Sequence, residues 1–209
     1  MFVADTINFR EIVMKEPLPL TTIQNAVIDF VRGRDDVVLA GAQAVNVYVA
    51  DARMSDDVDV FTTCAADFAE ELKLHLSRCF HIPIEAREAI PGRSYRLIEL
   101  REAGNRHLAD VRALTVLPQS QRIERVLVLS PIELIAGKVS AYHRRQNRPK
   151  SGIDRRDLTL LLLVFPELKR DPGPVTDCLN AAKANQNILA IWQELVEQEI
   201  MPETDDDDF

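Results

Sequence analysis

The chain has 209 residues, 25 Lys plus Arg against 33 Asp plus Glu, and 46% hydrophobic content, a balance that suits one or two small folded domains. Its formal net charge of −8 speaks against a protein that grips nucleic acid or membrane with its average surface, because such a surface repels polyanions. Five of the acids, Glu203 and Asp205 to Asp208, crowd into the last seven residues, so much of the imbalance belongs to an acidic tail over 201–209 that is expected not to fold.

In chain order, Ile23, Ala26, Val27, Phe30 and Val31 fall at helical spacing behind the capping candidates Thr21 and Thr22, and Gly33 stops that helix. Asp36 to Ala40 is a short β-branched strand. Gly41 turns the chain into a helix over Ala42 to Asp51, and Asp57 to Thr62 alternates strictly as a second strand. Asp67 to Phe80 is an amphipathic helix with Phe68, Leu72, Leu76 and Phe80 four apart. Strands are predicted next at Ile82 to Ala86, Tyr95 to Arg101 and His107 to Arg112, with Glu102 to Asn105 as the hairpin turn between the last two. A further strand is predicted around Ile123 to Leu129. The composition then changes. Ser130-Pro131-Ile132-Glu133 is a capping box with proline at the first helical position, and the rest reads as three or four helices divided by Pro166, Pro172, Gly173 and Pro174. The last of them spans Asn187 to Ile200 and buries Trp192. The expected fold class is α+β: an N-terminal mixed β-sheet with flanking helices over 1–128, then a helical bundle over 129–200.

The three cysteines, Cys64, Cys79 and Cys178, lie far apart with neither CxxC nor zinc-ligand spacing, which points to a reducing, cytoplasmic setting. The most apolar run, Leu158 to Phe165, is far below the roughly 18 residues of a membrane span, so neither a membrane partner nor a signal peptide is expected.

The chemistry centres on carboxylates. Asp57 and Asp59 are two apart on a predicted strand, so both leave one face while Val58 and Val60 take the other. Two strand positions span roughly 6.6 Å, from which carboxylates can converge on two ions about 3.5 to 4 Å apart, as in-line phosphoryl transfer requires. Oxygen ligands of this kind favour Mg²⁺ or Mn²⁺. In isolation the pattern reads equally as a strand cap beside a solvent-facing acid. Its surroundings tilt the reading: sixteen residues earlier Gly41 sits at a strand-to-helix turn, where a missing Cβ and free N–H groups suit a phosphate. Asp110, mid-strand, is costly there unless it meets a cation or lies exposed, and is the natural third ligand and a candidate base. The alternative is an edge-strand acid paired with Arg112.

Together these residues resemble a known family. The segment LAGAQAVNVYVADARMSDDVDVF is similar to the signature of the DNA polymerase β-like nucleotidyltransferase superfamily. Within it, Arg53-Met54-Ser55-Asp56-Asp57-Val58-Asp59 resembles the Arg-x-Ser/Thr-x-Asp-h-Asp form of the AbiEii-like branch, whose members often act as toxins of toxin–antitoxin pairs. The resemblance implies that Gly41, with Ala42 and Ser55, contacts the triphosphate, that Asp57 and Asp59 hold the metals, and that Asp110 completes the triad. Where the family has Gly-Gly or Gly-Ser, this chain has Gly41-Ala42, so a hydroxyl or some flexibility is lost at the phosphate turn.

The same resemblance reaches the second half. Glu133 to Ala141 carries Lys138 where the family has a lysine for nucleotide binding or catalysis; by spacing alone Lys138 is a lysine snorkelling at a helix border. Ile153 to Leu158 resembles the family's Arg/Lys-Asp-x-x-Asp-Leu segment, with Ile153 in place of the basic residue, which makes Asp157 a nucleotide-site candidate, although capping and the helix dipole account for Asp154 and Asp157 as well. Residues 143–156 hold Arg144, Arg145, Arg148, Lys150, Arg155 and Arg156 against Asp154, a strip that can bind an acceptor's phosphates or serve as a solvated basic helix end. His75, His81, His107 and His143 show no metal spacing and read as ordinary.

The family implies transfer of an NMP from an NTP to an acceptor hydroxyl on RNA, tRNA or protein, with Mg²⁺ or Mn²⁺ as cofactor and a cognate antitoxin as partner. Two alternatives stand beside it: an inactive nucleotide-binding or protein-interaction module of the same fold, and a small-molecule nucleotidyltransferase. Subtracting the tail and the triad Asp57, Asp59 and Asp110 leaves the rest of the chain neutral, so nucleic acid returns as a partner that the average charge alone would exclude.

Overall fold

A computed structural model describes residues 18–201; most of the acidic tail, residues 202–209, lies outside the described residues. The elements run α1 (Leu20–Val31), β1 (Val37–Ala40), α2 (Gly41–Tyr48), β2 (Val58–Thr62), α3 (Ala65–Phe80), β3 (Ile84–Ile90), β4 (Ser94–Glu99), β5 (Arg106–Ala113), β6 (Ser120–Ile123), β7 (Val126–Leu129), α4 (Pro131–Arg144), α5 (Lys150–Val164), a 3₁₀ turn (Pro166–Leu168), α6 (Pro174–Ala181) and α7 (Gln186–Glu197). The strands form one seven-stranded mixed sheet in the order β3-β4-β5-β2-β1-β7-β6. The α+β class expected from the sequence is the one observed.

The centre of the sheet is its buried part. β1 pairs antiparallel with β2, and β2 pairs parallel with β5. On β2, Val58, Val60 and Thr62 are buried while Asp59 and Phe61 face the other way, as the alternation predicted. Helix α3 lays Phe68, Ala69, Leu72 and Leu76, all fully buried, against the apolar side of the sheet, with α1 beside it. Beyond Leu129 only helical elements occur among the described residues, yet their buried Leu134, Leu161, Leu179 and Trp192 belong to the same apolar cluster as Val38, Val58 and Phe68. At about 1.5–3 kcal/mol for each large side chain buried, this shared core ties the helices firmly to the sheet.

Several local expectations change. Thr21 and Thr22 do not cap α1, which starts at Leu20, so both lie inside its first turn; Pro19 holds the cap position and no side chain caps the helix. The strand expected around Ile123 to Leu129 is the hairpin β6–β7, because Glu124 and Arg125 both adopt left-handed backbone (φ 46° and 70°) and reverse the chain. The Ser130 box forms on one side only: Ser130 Oγ accepts from the Glu133 N–H at 3.4 Å, whereas the Glu133 carboxylate accepts from the Cys178 thiol instead of returning to the cap. Asp154 and Asp157 are not at the start of a helix. Helix α5 begins at Lys150, so both lie inside it, and both are buried.

Candidate active site

One register sets the site. Asp59 on β2 stands directly beside Asp110 on β5, and Arg96 on β4 stands opposite Asp110, so three neighbouring strands present Asp59, Asp110 and Arg96 in a row on the face away from α3. Asp57 precedes β2 by one residue, and its backbone carbonyl accepts from Ser55 Oγ at 3.0 Å. β5 is an inner strand, and the ion pair considered for Asp110 is different from the one observed: Asp110 Oδ1 accepts from Arg96 Nε at 3.1 Å, and Arg112 turns to Asp59, Nη2 to Oδ1 at 3.2 Å.

His107 is not ordinary. Between Leu97 and Ile98 of β4 the pairing with β5 slips by one residue, so Leu108 and Ala109 are both buried and His107 shares a face with Asp110, three positions on. Its Nδ1 lies 3.2 Å from Asp57 Oδ2 and its Nε2 lies 3.1 Å from Asp110 Oδ1. Burial alone would lower the imidazole's affinity for a proton; hydrogen bonding and the charge of Asp110, with Asp57, outweigh it and raise the pKa. Burial likewise works to raise Asp110, but the hydrogen bonds from His107 and Arg96 hold it below its ordinary value. Asp59 goes up: burial is the chief cause, and the charges of Asp57 and Asp110 add to it against Arg112.

Gly41 opens the turn into α2 at φ 65°, a left-handed conformation in which a β-carbon is strained. A Cβ there would sit on the Asp59 carboxylate, 2.8 Å from its Cγ. The space that the glycine leaves is thus occupied by Asp59 itself, and Gly41 and Ala42 line the same cleft as the acids.

The opposite wall comes from the helices. Lys138 on α4 lines the cleft with its ammonium already paired: Nζ lies 2.6 Å from Asp157 Oδ2 and 3.5 Å from Asp154 Oδ1. Asp157, fully buried, also takes a two-pronged contact from Arg53, Nε at 2.8 Å and Nη2 at 2.9 Å. Arg53 is itself clasped by Asn46, whose side chain accepts from the Arg53 N–H and donates to its carbonyl. Asp157 therefore ties α4, α5 and the segment entering β2 together behind the cleft wall. The basic strip divides. Arg144, Arg145 and Lys150 line the cleft, Arg145 pairing with Asp154; Arg155 donates to Gln198, and Arg156 pairs with Asp51. Arg148 is not among the lining residues.

The cleft holds about 740 Å³ between the carboxylate face of the sheet and helices α4 to α6, ample for a nucleotide. Asp57, His107 and Asp110 each offer one ligand atom, all mutually within 4.8 Å, and oxygen and imidazole donors of this kind suit a divalent cation. The residues present fit such an ion.

This fold is that of the nucleotidyltransferases. The chain resembles the Megavirus polyadenylate synthase with a TM-score of 0.59 at 14% identity, over 73% of this chain and 32% of that one. It resembles JHP933 from Helicobacter pylori with a TM-score of 0.51 at 14% identity, over 84% and 87% of the two chains. A putative nucleotidyltransferase from H. pylori gives 0.51 at 16% identity, over 85% and 88%. The chain spans about a third of the length of the polyadenylate synthase, and at these identities the likeness is one of fold. No curated protein sequence matches the chain. Residues 25–208 match the family model described as "Nucleotidyl transferase AbiEii toxin, Type IV TA system". The chain belongs to the AbiEii family, whose description is that of nucleotidyltransferases. Among the described residues no helix is long and apolar enough to cross a membrane.

Proposed function

We propose that the protein uses a divalent metal ion, Mg²⁺ or Mn²⁺, to transfer an NMP from an NTP to a hydroxyl of an RNA, tRNA or protein acceptor, as the toxin of a toxin–antitoxin pair with a cognate antitoxin. The observation that carries this reading is the convergence of Asp57, Asp59 and Asp110 on one cleft face with His107 among them. Asp57 and Asp110, with His107 and the neighbouring Asp59, would hold the cation. When bound, it neutralises charge on the phosphate under attack.

The chain's own groups account for the rest. Gly41 and Ala42, at the start of α2, and Ser55 line the cleft where the triphosphate would lie. Lys138, fixed by Asp154 and Asp157, contributes positive charge on the helical wall. In the transfer a bond forms between the acceptor oxygen and the α-phosphorus, the bond from that phosphorus to the bridging oxygen breaks, and pyrophosphate leaves toward Gly41 and Lys138. The acceptor proton passes to Asp110. Because His107 and Arg96 hold that carboxylate below its ordinary pKa, it is a weak base alone.

The test incubates purified protein with each labelled NTP, Mg²⁺ or Mn²⁺, and total RNA or cell protein, beside an Asp57→Ala, Asp59→Ala double variant. Metal-dependent labelling that the variant lacks is expected. Absence of labelling from every NTP, together with no NTP binding by calorimetry, overturns the reading.

A further inference from the structure

The carboxylates that would hold a cation already have partners. Asp59 Oδ1 takes Arg112, and the one oxygen of Asp110 that faces His107, Oδ1, also takes Arg96. Both arginines are about half-exposed (47% and 48%), both line the cleft, and Arg112 lies over the Phe61 ring, 6.0 Å from its centroid. Their acids are mostly buried (23% and 17% exposed). A guanidinium on a solvated stem, bound to a sunken carboxylate by one hydrogen bond, is readily displaced. On the reading above, a divalent ion takes the same carboxylates and competes for them. Once displaced, a guanidinium in a cleft is a planar, permanently charged phosphate ligand.

We propose that Arg96 and Arg112 are exchangeable counter-ions: they hold Asp110 and Asp59 until a divalent cation takes those carboxylates, and they then bind a phosphate group in the sheet-side half of the cleft. This rests on the metal-dependent reading above. It makes the arginines competitors of the metal and helpers of the substrate, so metal and phosphate ligand strengthen one another through them.

The experiment titrates Mn²⁺ into the wild type, Arg96→Gln, Arg112→Gln and Arg144→Gln, following free Mn²⁺ by electron paramagnetic resonance. Arg144 lines the cleft without an ion pair among the described residues, so its variant controls for loss of one positive charge. Mn²⁺ should bind about two- to five-fold more tightly to Arg96→Gln and Arg112→Gln than to the control, as expected for removal of a half-exposed ion pair. At saturating Mn²⁺ the same two variants should lose several-fold affinity for a phosphate ligand, measured separately with a non-hydrolysable nucleoside triphosphate and with a short single-stranded oligoribonucleotide. Loss with the triphosphate alone assigns the arginines to the nucleotide. Loss with the oligonucleotide alone assigns them to the acceptor, and there the salt dependence should flatten by about one unit per arginine. Mn²⁺ affinity no higher than the control's, or unchanged affinity for both phosphate ligands, overturns the proposal. A wild type that binds no Mn²⁺ overturns the metal-dependent reading itself and this inference with it.

Discussion

Replacing Asp157 by Asn keeps the shape of a side chain that sits fully buried between two cations and removes its charge. The Arg53 fork at 2.8 and 2.9 Å and the Lys138 contact at 2.6 Å lose their counter-charge together. Breaking a buried pair from one side costs about 3–5 kcal/mol. The lower end applies here, since Arg53 is 22% exposed and Lys138 retains Asp154 at 3.5 Å. At about 2–4 °C per kcal/mol for a chain of this size, a loss of about 3 kcal/mol lowers the melting temperature by about 6–12 °C. The pH dependence adds a second constraint. Burial would raise the Asp157 pKa, but the hydrogen bond from Arg53 and the charge of Lys138 outweigh it and hold the carboxyl below its ordinary value. A lowered folded-state pKa gives stabilisation that is complete above the unfolded value of about 3.9 and fades as pH falls through the folded one. Thermal melts followed by circular dichroism should therefore show the full gap between wild type and Asp157→Asn at pH 7, and a gap that narrows below about pH 4. A variant that melts within about 2 °C of wild type at pH 7 would refute the claim that this carboxylate fastens the helices to the segment entering β2.

Other expectations follow from the same geometry. Gly41→Ala puts a methyl group onto the Asp59 carboxylate at a left-handed backbone position, so label transfer should fall at least about 100-fold, the scale set by misplacing a catalytic group by about 1 Å; near-wild-type rates would show that Asp59 need not occupy that space. His107 should titrate by NMR above about 6.5, because the Asp110 and Asp57 contacts overcome its burial. Its contribution to stability is then complete below about pH 6.5 and is lost as pH rises through the folded value, and a midpoint below 6.5 contradicts the observed pairing. Burial, with Glu133 adding to it, pushes the Cys178 thiol up to about 12, whereas Cys64 and Cys79 are exposed. At pH 8 a thiol reagent should modify those two faster than the half-buried Cys178; equal rates for all three would count against its contact with Glu133.

What depends on short-range periodicity was legible in the residues alone. Period-2 alternation in Asp57 to Thr62 places Asp59 opposite the buried valines, a glycine before a helix marks the turn at Gly41, and apolar spacing of four makes Asp67 to Phe80 a helix with the correct buried face. Asp110 was legible as a strand carboxylate needing a cation for the same reason. Which charges meet is set by the pairing and packing of distant segments. His107 reaches Asp110 because a one-residue slip against β4 cancels the alternation that would have sent it to the other face. That slip is a property of two strands paired, and neither sequence carries it alone. Arg112 meets Asp59 because β5 pairs with β2 across an intervening helix and two strands. Asp157 meets Arg53 from 104 residues away, and this contact turns what reads locally as a helix cap into the buried tie behind the cleft. Local spacing sets the direction of a side chain, but its partner depends on register and packing between distant segments, which the whole core must choose together.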